Sequence, residues 1–257
     1  MPVTAPALSV VVPVHNEAEN IGPLVAEIRA ALGGRVAYEI VLVDDRSTDQ
    51  TPERLAALAA AHGEVRVIRH ERNAGQSTAL VSGVRAARGP LVATLDGDGQ
   101  NDPADIPALL DRYRADAGGR GAALLVAGHR TNRRDTWITR VSSRIANAVR
   151  GRLLHDRTPD TGCGLKLFPR ALFLELPYFD HMHRFLPALT LRAGGRVVSV
   201  PVSHRPRTRG RSHYGIHNRL WAGIVDLLGV LWLTRRAKLP GSREVTPQAE
   251  GSSPGNR

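Results

Sequence analysis

"PLVATLDGDGQNDPADIPALLDRY" (residues 90–113) leaves an apolar, β-branched run, passes through a loop holding Asp96, Asp98 and Asp102, and re-enters apolar sequence at helical spacing after Pro103. Strand, polar turn and helix in that order form the repeating unit of a parallel α/β sheet. Upstream the unit recurs. "LSVVVPV" (8–14), "YEIVLVDD" (38–45) and "VRVIRH" (65–70) read as strands, as does "ALLVAG" (123–128) downstream. Between them "IGPLVAEIRAAL" (21–32), "TPERLAALAAAH" (51–62), "STALVSGVRAA" (77–87) and "PADIPALLDRY" (103–113) read as helices. The expected fold is therefore α/β, a mostly parallel central sheet between two helical layers.

Sheets of this kind bind ligands at the carboxyl ends of their strands. The four exits are "PVHNE", "DDRSTDQT", "ERNAGQST" and "DGDGQNDP", each polar and each carrying Asp, Asn, Glu or Gly. One polar exit is ordinary turn chemistry; four in register describe the rim of a site. Like charges crowded as in 96–102 persist where a cation or a proton sits between them. Asp102 is read as the cap of the helix beginning at Pro103. Asp96 and Asp98, on alternate residues with Gly97 and Gly99 between and after them, can turn toward one point. Oxygen-only ligands suit Mg²⁺ or Mn²⁺, with Gln100 as a third contact.

Charge is unevenly divided. Residues 1–111 hold 15 Asp/Glu against 9 Arg, a balance of −6, which leaves +17 of the total +11 on residues 112–257. Only Lys166 and Lys238 are lysines, and no carboxylate occurs from His181 to Val225. Such a surface suits nucleic acid, anionic lipid headgroups or phosphorylated ligands. The lone Cys163 excludes an internal disulfide framework, and residues 1–8 lack a signal-peptide pattern, so the expected location is the cytosol or the cytoplasmic face of a membrane.

After Gly128 the alternation stops. "DTWITRVSSRIANAVRGRLL" (135–154) reads as a basic helix, "TPDTGCGLKLF" (158–168) as a loop entering a strand, and "HRFLPALTLRAG" (183–194) as a helix. "RVVSVPVSHRPRTRGRSHYG" (196–215) reads as a strand ending in a basic loop. "LWAGIVDLLGVLWL" (220–233) is too short to span a bilayer and contains Asp226. Trp221 and Trp232 near its ends and the flanking Arg219, Arg235 and Arg236 fit a helix lying on a membrane surface; a helix packed on the domain is the alternative. The expected organisation is a catalytic domain over 1–215, this helix over 216–236, and a disordered tail over 237–257.

"VVVPVHNEAENI", "VDDRSTDQT", "NAGQSTALVSG" and "DGDGQNDP", in this order and spacing, resemble the inverting nucleotide-sugar glycosyltransferases of family 2, which have the GT-A fold. "GHR", "SSR", "DTGCGLKLF", "RFLPAL" and "RTRGRSHYG" resemble the branch that loads a sugar onto a polyprenyl phosphate. The resemblance implies that Pro13, Asn16, Glu17, Asp44, Asp45 and Asp96 serve the donor nucleotide, and that Asp96, Asp98 and Gln100 hold a metal on the diphosphate. It places Arg130, Arg144, Arg207, Arg209, Arg211 and Ser212 at the acceptor phosphate, with Asp98, Arg130 and Arg144 in the catalytic step. A phosphate acceptor is already anionic and needs cations to position it more than it needs a base, and an Arg fork pairs two phosphate oxygens at once. His213 stands where many relatives carry Lys.

The implied reaction is metal-dependent, inverting transfer of a hexose from GDP-mannose or a UDP-sugar to a polyprenyl phosphate, at a membrane surface and without nucleic acid. Two alternatives stand beside it. One keeps the donor but takes a hydroxylated acceptor, with Asp160 as base; the other is a basic nucleic-acid module, which lacks aromatics for base stacking and leaves Asp96 and Asp98 unexplained. Asp45, at a strand end, is expected to face solvent and contribute little to the core. Asp44, Asp45 and Asp49 as caps of the helix near Thr51 remain an alternative to nucleotide binding.

Overall fold

The computed structural model describes residues 5–118, 123–131, 150–154, 156, 158–206 and 217–238. The strands are β1 (Leu8–Val14), β2 (Tyr38–Asp44), β3 (Val65–Arg69), β4 (Leu91–Thr94), β5 (Leu124–Arg130), β6 (Lys166–Pro169) and β7 (Arg196–Val202). The helices are α1 (Ala18–Leu32), α2 (Thr51–Ala61), α3 (Gln76–Ala86), α4 (Ile106–Asp116), α5 (Arg170–Glu175), α6 (Leu186–Arg192) and α7 (His217–Arg235). One sheet carries all seven strands in the order β3-β2-β1-β4-β6-β5-β7.

β1 is buried along its whole length, as a strand covered on both faces must be. Its pleat divides the core. Leu8, Val10, Val12 and Val14 join Ile21, Leu24 and Ile28 of α1, Leu55 of α2 and Ile106 and Leu109 of α4. Val11 joins Ala79, Leu80 and Val84 of α3 on the opposite face, with Phe173 of α5 and Leu189 of α6. This is the expected three-layer arrangement. Residues 103–105 form a 3₁₀ turn leading into α4, and Asp102 does cap it, its Oδ1 accepting the Ala104 N–H at 2.9 Å. The segment read as one helix over 183–194 divides into a 3₁₀ turn, Met182–Arg184, followed by α6.

β6 alone runs antiparallel, pairing with β4 (Thr94 with Lys166) and with β5 (Ala127 with Lys166). That reversal brings the loop entering β6 to the rim where β1, β2 and β4 exit. β7 runs parallel to β5, so its exit reaches the same rim. There Arg205 N–H donates to Gln100 O at 3.0 Å, and Asn101 bridges His204. The helical residues 150–154 end the segment read as a basic helix; its remainder lies outside the described residues.

α7 packs on the domain. Val230, with Leu227 and Leu231, enters the α3-side core; His181 Nδ1 meets Asp226 Oδ2 at 2.9 Å, and Arg192 Nε donates to Leu233 O at 3.0 Å. Its outer side exposes Ile224, Val225, Leu228 and Trp232. Among the described residues no helix is long and apolar enough to cross a membrane.

At the opposite end of the sheet from that rim, the buried Glu39 accepts from Ser9 Oγ at 2.6 Å, Arg88 N–H at 2.6 Å and Arg66 at 2.8 Å. Burial penalises the charge, but these donors outweigh it, and the carboxyl sits below its usual value of 4.5. A depressed folded-state pKa contributes stability above the unfolded value and loses it as pH falls through the folded one. Glu39→Gln is expected to cost about 1–3 kcal/mol at neutral pH. In urea unfolding curves the gap between wild type and variant should close as the pH is taken below the ordinary Glu range.

Candidate active site

The first turn of α3 and the two residues before it organise the rim. Ala74 and Gly75 donate their N–H groups to Oδ1 and Oδ2 of Asp45 at 2.8 and 2.7 Å, while His70 Nδ1 meets Oδ1 at 2.8 Å. Gly75 has φ +84°, a conformation that turns the chain into the helix and that L side chains adopt only with strain. Gln76 Nε2 donates to Asp96 Oδ1 at 2.7 Å. Ser77 Oγ meets His183 Nδ1 at 2.7 Å, and Thr78 Oγ1 meets the Tyr178 hydroxyl at 2.8 Å. Five consecutive residues thus tie together the exits of β2 and β4 and the segment 178–183.

Asp45 is 4% exposed and accepts from two backbone amides, so it is a buried anchor and not the solvent-facing carboxylate expected of a strand end. Asp44 is also buried. It accepts the Ser47 N–H at 2.8 Å and lies 3.1 Å from Arg69 Nε. Of the three acids at this exit, Asp49 is the one that meets the start of α2, accepting the Thr51 N–H at 2.9 Å from the residue before the Gln50 cap position. Asn16, at φ +55°, accepts the Thr48 N–H at 2.8 Å, and its own N–H donates to Ser47 Oγ at 3.0 Å. Glu17 accepts from Asn20 at 2.6 Å, and Pro13 lies in β1 opposite Val43. Asn16 and Glu17 border an open polar cavity of about 840 Å³ between the β1 and β2 exits.

Asp96 rests on the loop entering β6. A Cβ on Gly164 would meet Asp96 Oδ2 at 2.2 Å, so only glycine lets the carboxylate lie there. Burial of that carboxylate and the neighbouring Asp98 charge push its pKa up to about 6, against the opposing pull of Lys166, Arg130 and the Gln76 hydrogen bond. Asp98 accepts the Gln100 N–H at 3.1 Å. No group of three or more His, Cys, Asp or Glu gathers around a common point among the described residues. Lys166, 3% exposed, donates from Nζ to Cys163 O, and its burial lowers its pKa.

Arg130, at the end of β5, holds Asp160 with Nε at 2.6 Å and Nη2 at 2.8 Å, one bond to each carboxylate oxygen. Burial opposes its charge, but Asp160 outweighs burial and holds the guanidinium above its usual range. Arg205 adds a clamp, reaching Asp102 at 2.6 Å and Glu27 at 2.7 Å, with the Ser203 N–H on Asp105 at 2.7 Å. Arg205 thus sits beside the Asp98 loop. Arg144, Arg207, Arg209, Arg211, Ser212 and His213 lie outside the described residues.

Gln76, Ser77, Lys166, His183 and Arg205 join the set that sequence reading nominated. Lys166 had a signal, as one of two lysines in an Arg-rich chain. The partners of the others follow from topology and have no local pattern.

The model of Glycosyl transferase family 2 matches residues 9–176. The chain is 37% identical over 248 residues to dodecaprenyl-phosphate galacturonate synthase of Rhizobium johnstonii, covering 93% of this chain and 71% of that protein. It is 35% identical over 211 residues to undecaprenyl-phosphate 4-deoxy-4-formamido-L-arabinose transferase of Edwardsiella ictaluri, covering 81% of this chain and 63% of that protein. The structure of glucosyl-3-phosphoglycerate synthase from Mycobacterium tuberculosis with Mg²⁺ and UDP superposes with a TM-score of 0.65 at 23% identity, over 92% of this chain and 81% of that one. The chain belongs to glycosyltransferase family 2, and its fold is the GT-A fold expected of it.

Removing the Asp45 carboxylate leaves the Ala74 and Gly75 amides without their acceptor. Asp45→Ala is expected to lower stability by at least about 2 kcal/mol and to weaken nucleoside diphosphate binding as the α3 turn loosens. Thermal unfolding and calorimetry check both; unchanged stability would show that the turn holds without its anchor.

Proposed function

We propose that this glycosyltransferase moves a sugar from a nucleoside-diphosphate donor to a polyprenyl phosphate with the help of Mg²⁺ or Mn²⁺. The observation that carries this reading is the Arg130–Asp160 pair. Asp160 is the carboxylate put forward as a base for a hydroxylated acceptor, and both its oxygens are engaged by a guanidinium. A proton acceptor so held is a poor base. A phosphate oxygen needs none: it attacks the anomeric carbon, the bond from that carbon to the donor diphosphate breaks, and no proton has to move. The names of the two relatives above support a polyprenyl-phosphate acceptor.

The residues present fit a divalent cation. Asp98 keeps an oxygen free of the Gln100 N–H, and Asp96, whose pKa is raised by burial and then by the Asp98 charge, is a carboxylate whose charged form a cation would favour. A bound cation would neutralise charge gathering on the leaving diphosphate. Gln76 and Gly164 fix Asp96; Arg130 keeps N–H groups beyond the two spent on Asp160 and, in this reading, turns them toward the acceptor phosphate with Arg144, Arg207, Arg209 and Arg211. The nucleotide would lie over the exits of β1 and β2, and the sugars in the names of the relatives and the structural neighbour make galacturonate and glucose the first donors to try.

Labelled UDP- and GDP-sugars, incubated with short polyprenyl phosphates or the matching polyprenols, test the reading. Transfer is expected to the phosphate alone, to stop in excess chelator and to return with Mg²⁺ or Mn²⁺. Asp98→Asn should lower turnover at least about 100-fold. Arg144→Ala should raise the acceptor KM about 10- to 150-fold, with the donor KM changed far less. Equal use of polyprenol, or full turnover without metal, would overturn it.

The acceptor reading also gives α7 a role as the part of the chain that rests on the membrane. Its inner side is packed on the domain, and Ile224, Val225, Leu228 and Trp232 form an outer apolar stripe, followed by the exposed Arg235 and Arg236. The domain over 1–215 would thus be held with its basic side toward anionic headgroups. Val225→Asp with Leu228→Asp is expected to reduce sedimentation with anionic vesicles without lowering the melting temperature. Unchanged association would remove this helix from membrane binding.

A further inference from the structure

The turn carrying His183 lies across the first turn of α3, beside the residues that hold Asp45 and Asp96. Asp180 sits against Gly75, whose Cβ would come within 3.7 Å of Asp180 Oδ1, and Gln76 holds Asp96 one residue before Ser77. Ser77 is fully buried. Its Oγ receives the His183 N–H at 3.4 Å and lies 2.7 Å from His183 Nδ1. A hydroxyl has one proton and two lone pairs, so Oγ can accept that backbone N–H and still give its own proton to Nδ1, an arrangement that leaves the ring proton on Nε2. His183 is half-buried, its Nδ1 edge lies on a buried hydroxyl, and its Nε2 is not among the buried side-chain atoms that lack a partner.

We propose that His183 is a donor-sugar contact, giving a hydrogen bond from Nε2–H to a hydroxyl or carboxylate oxygen of the transferred sugar, with Ser77 as the residue that positions it. The inference rests on the transferase reading above. The nucleotide is assigned to the exits of β1 and β2 and the diphosphate to Asp96 and Asp98, so the next group along the donor reaches the α3 turn and the loop entering β6. Burial, and then the charges of Lys166, Arg184 and His181, hold the imidazole neutral, with a pKa of about 3. With its one proton on Nε2, a neutral ring serves as a fixed hydrogen-bond donor and takes up no proton at physiological pH.

Two amide replacements separate the ring's two edges. His183→Asn can keep the bond from Ser77 but lacks a group at the Nε2 position; His183→Gln extends an N–H to that position. Calorimetry in Mn²⁺ would compare the nucleotide sugar that wild type binds tightest, among UDP-glucose, UDP-galacturonate and GDP-mannose, with its parent nucleoside diphosphate. Expected is a 3- to 10-fold loss of affinity for the nucleotide sugar in His183→Asn, about what one hydrogen bond supports, with the nucleoside diphosphate within about twofold and affinity largely kept in His183→Gln. Ser77→Ala should show a smaller loss of the same kind. Equal affinities in wild type and His183→Asn, an equal loss for sugar nucleotide and nucleoside diphosphate, or a loss in His183→Gln but not in His183→Asn would each overturn the inference. If wild type bound the nucleoside diphosphate and none of the nucleotide sugars, the transferase reading itself would fail, a result distinct from these.

Discussion

The Asp45 carboxylate, held by two consecutive backbone amides at the entrance to α3, is the interaction on which the rest of the rim depends. A carboxylate accepting hydrogen bonds from N–H groups at a helix start is a strong, directional contact. Here it fixes Ala74 and Gly75 against the end of β2 and so sets where the next three side chains point. Gln76 then reaches Asp96, Ser77 reaches His183 and Thr78 reaches Tyr178. One turn of helix thus registers Asp45 and Asp96 against the second half of the chain.

Electrostatics divide the rim into two sides. On one, burial and the Asp98 charge raise the pKa of Asp96 against the pull of Lys166, Arg130 and Gln76. On the other, Asp160 is neutralised by Arg130 within the fold, so its charge is spent on holding a guanidinium in place. Asp102 is handled in a third way, by capping the turn before α4 and pairing with Arg205. The carboxylates of the rim therefore do different work, decided by which partner the fold brings to each.

The four strand–helix units were legible because β-branched runs and helical spacing are local patterns, and the acid exit was legible because its residues are adjacent. The direction of β6 was not: "KLFP" has the same composition whichever way it runs, and only its pairing with Thr94 and Ala127 fixes it. Arg130 and Asp160 were each noticed and given separate roles, since thirty residues of sequence hide a contact made by an antiparallel insertion. Asp45 was read as facing solvent because a strand end gives no sign of the amides that fold back over it. For α7 the sequence offered two readings of one helix; the structure shows its packed side, and the apolar stripe opposite is where the membrane proposal rests.

The central claim is that charge builds on a leaving nucleoside diphosphate while a phosphate oxygen attacks the sugar carbon. The nucleotide released during transfer tests it most directly. With donor labelled in the nucleoside and short polyprenyl phosphate as acceptor, the account expects one nucleoside diphosphate for each lipid-linked sugar formed, and a product carrying a single phosphate. Release of nucleoside monophosphate with a lipid product bearing two phosphates would mean that phosphorus, not the anomeric carbon, is the centre attacked, and would contradict the account.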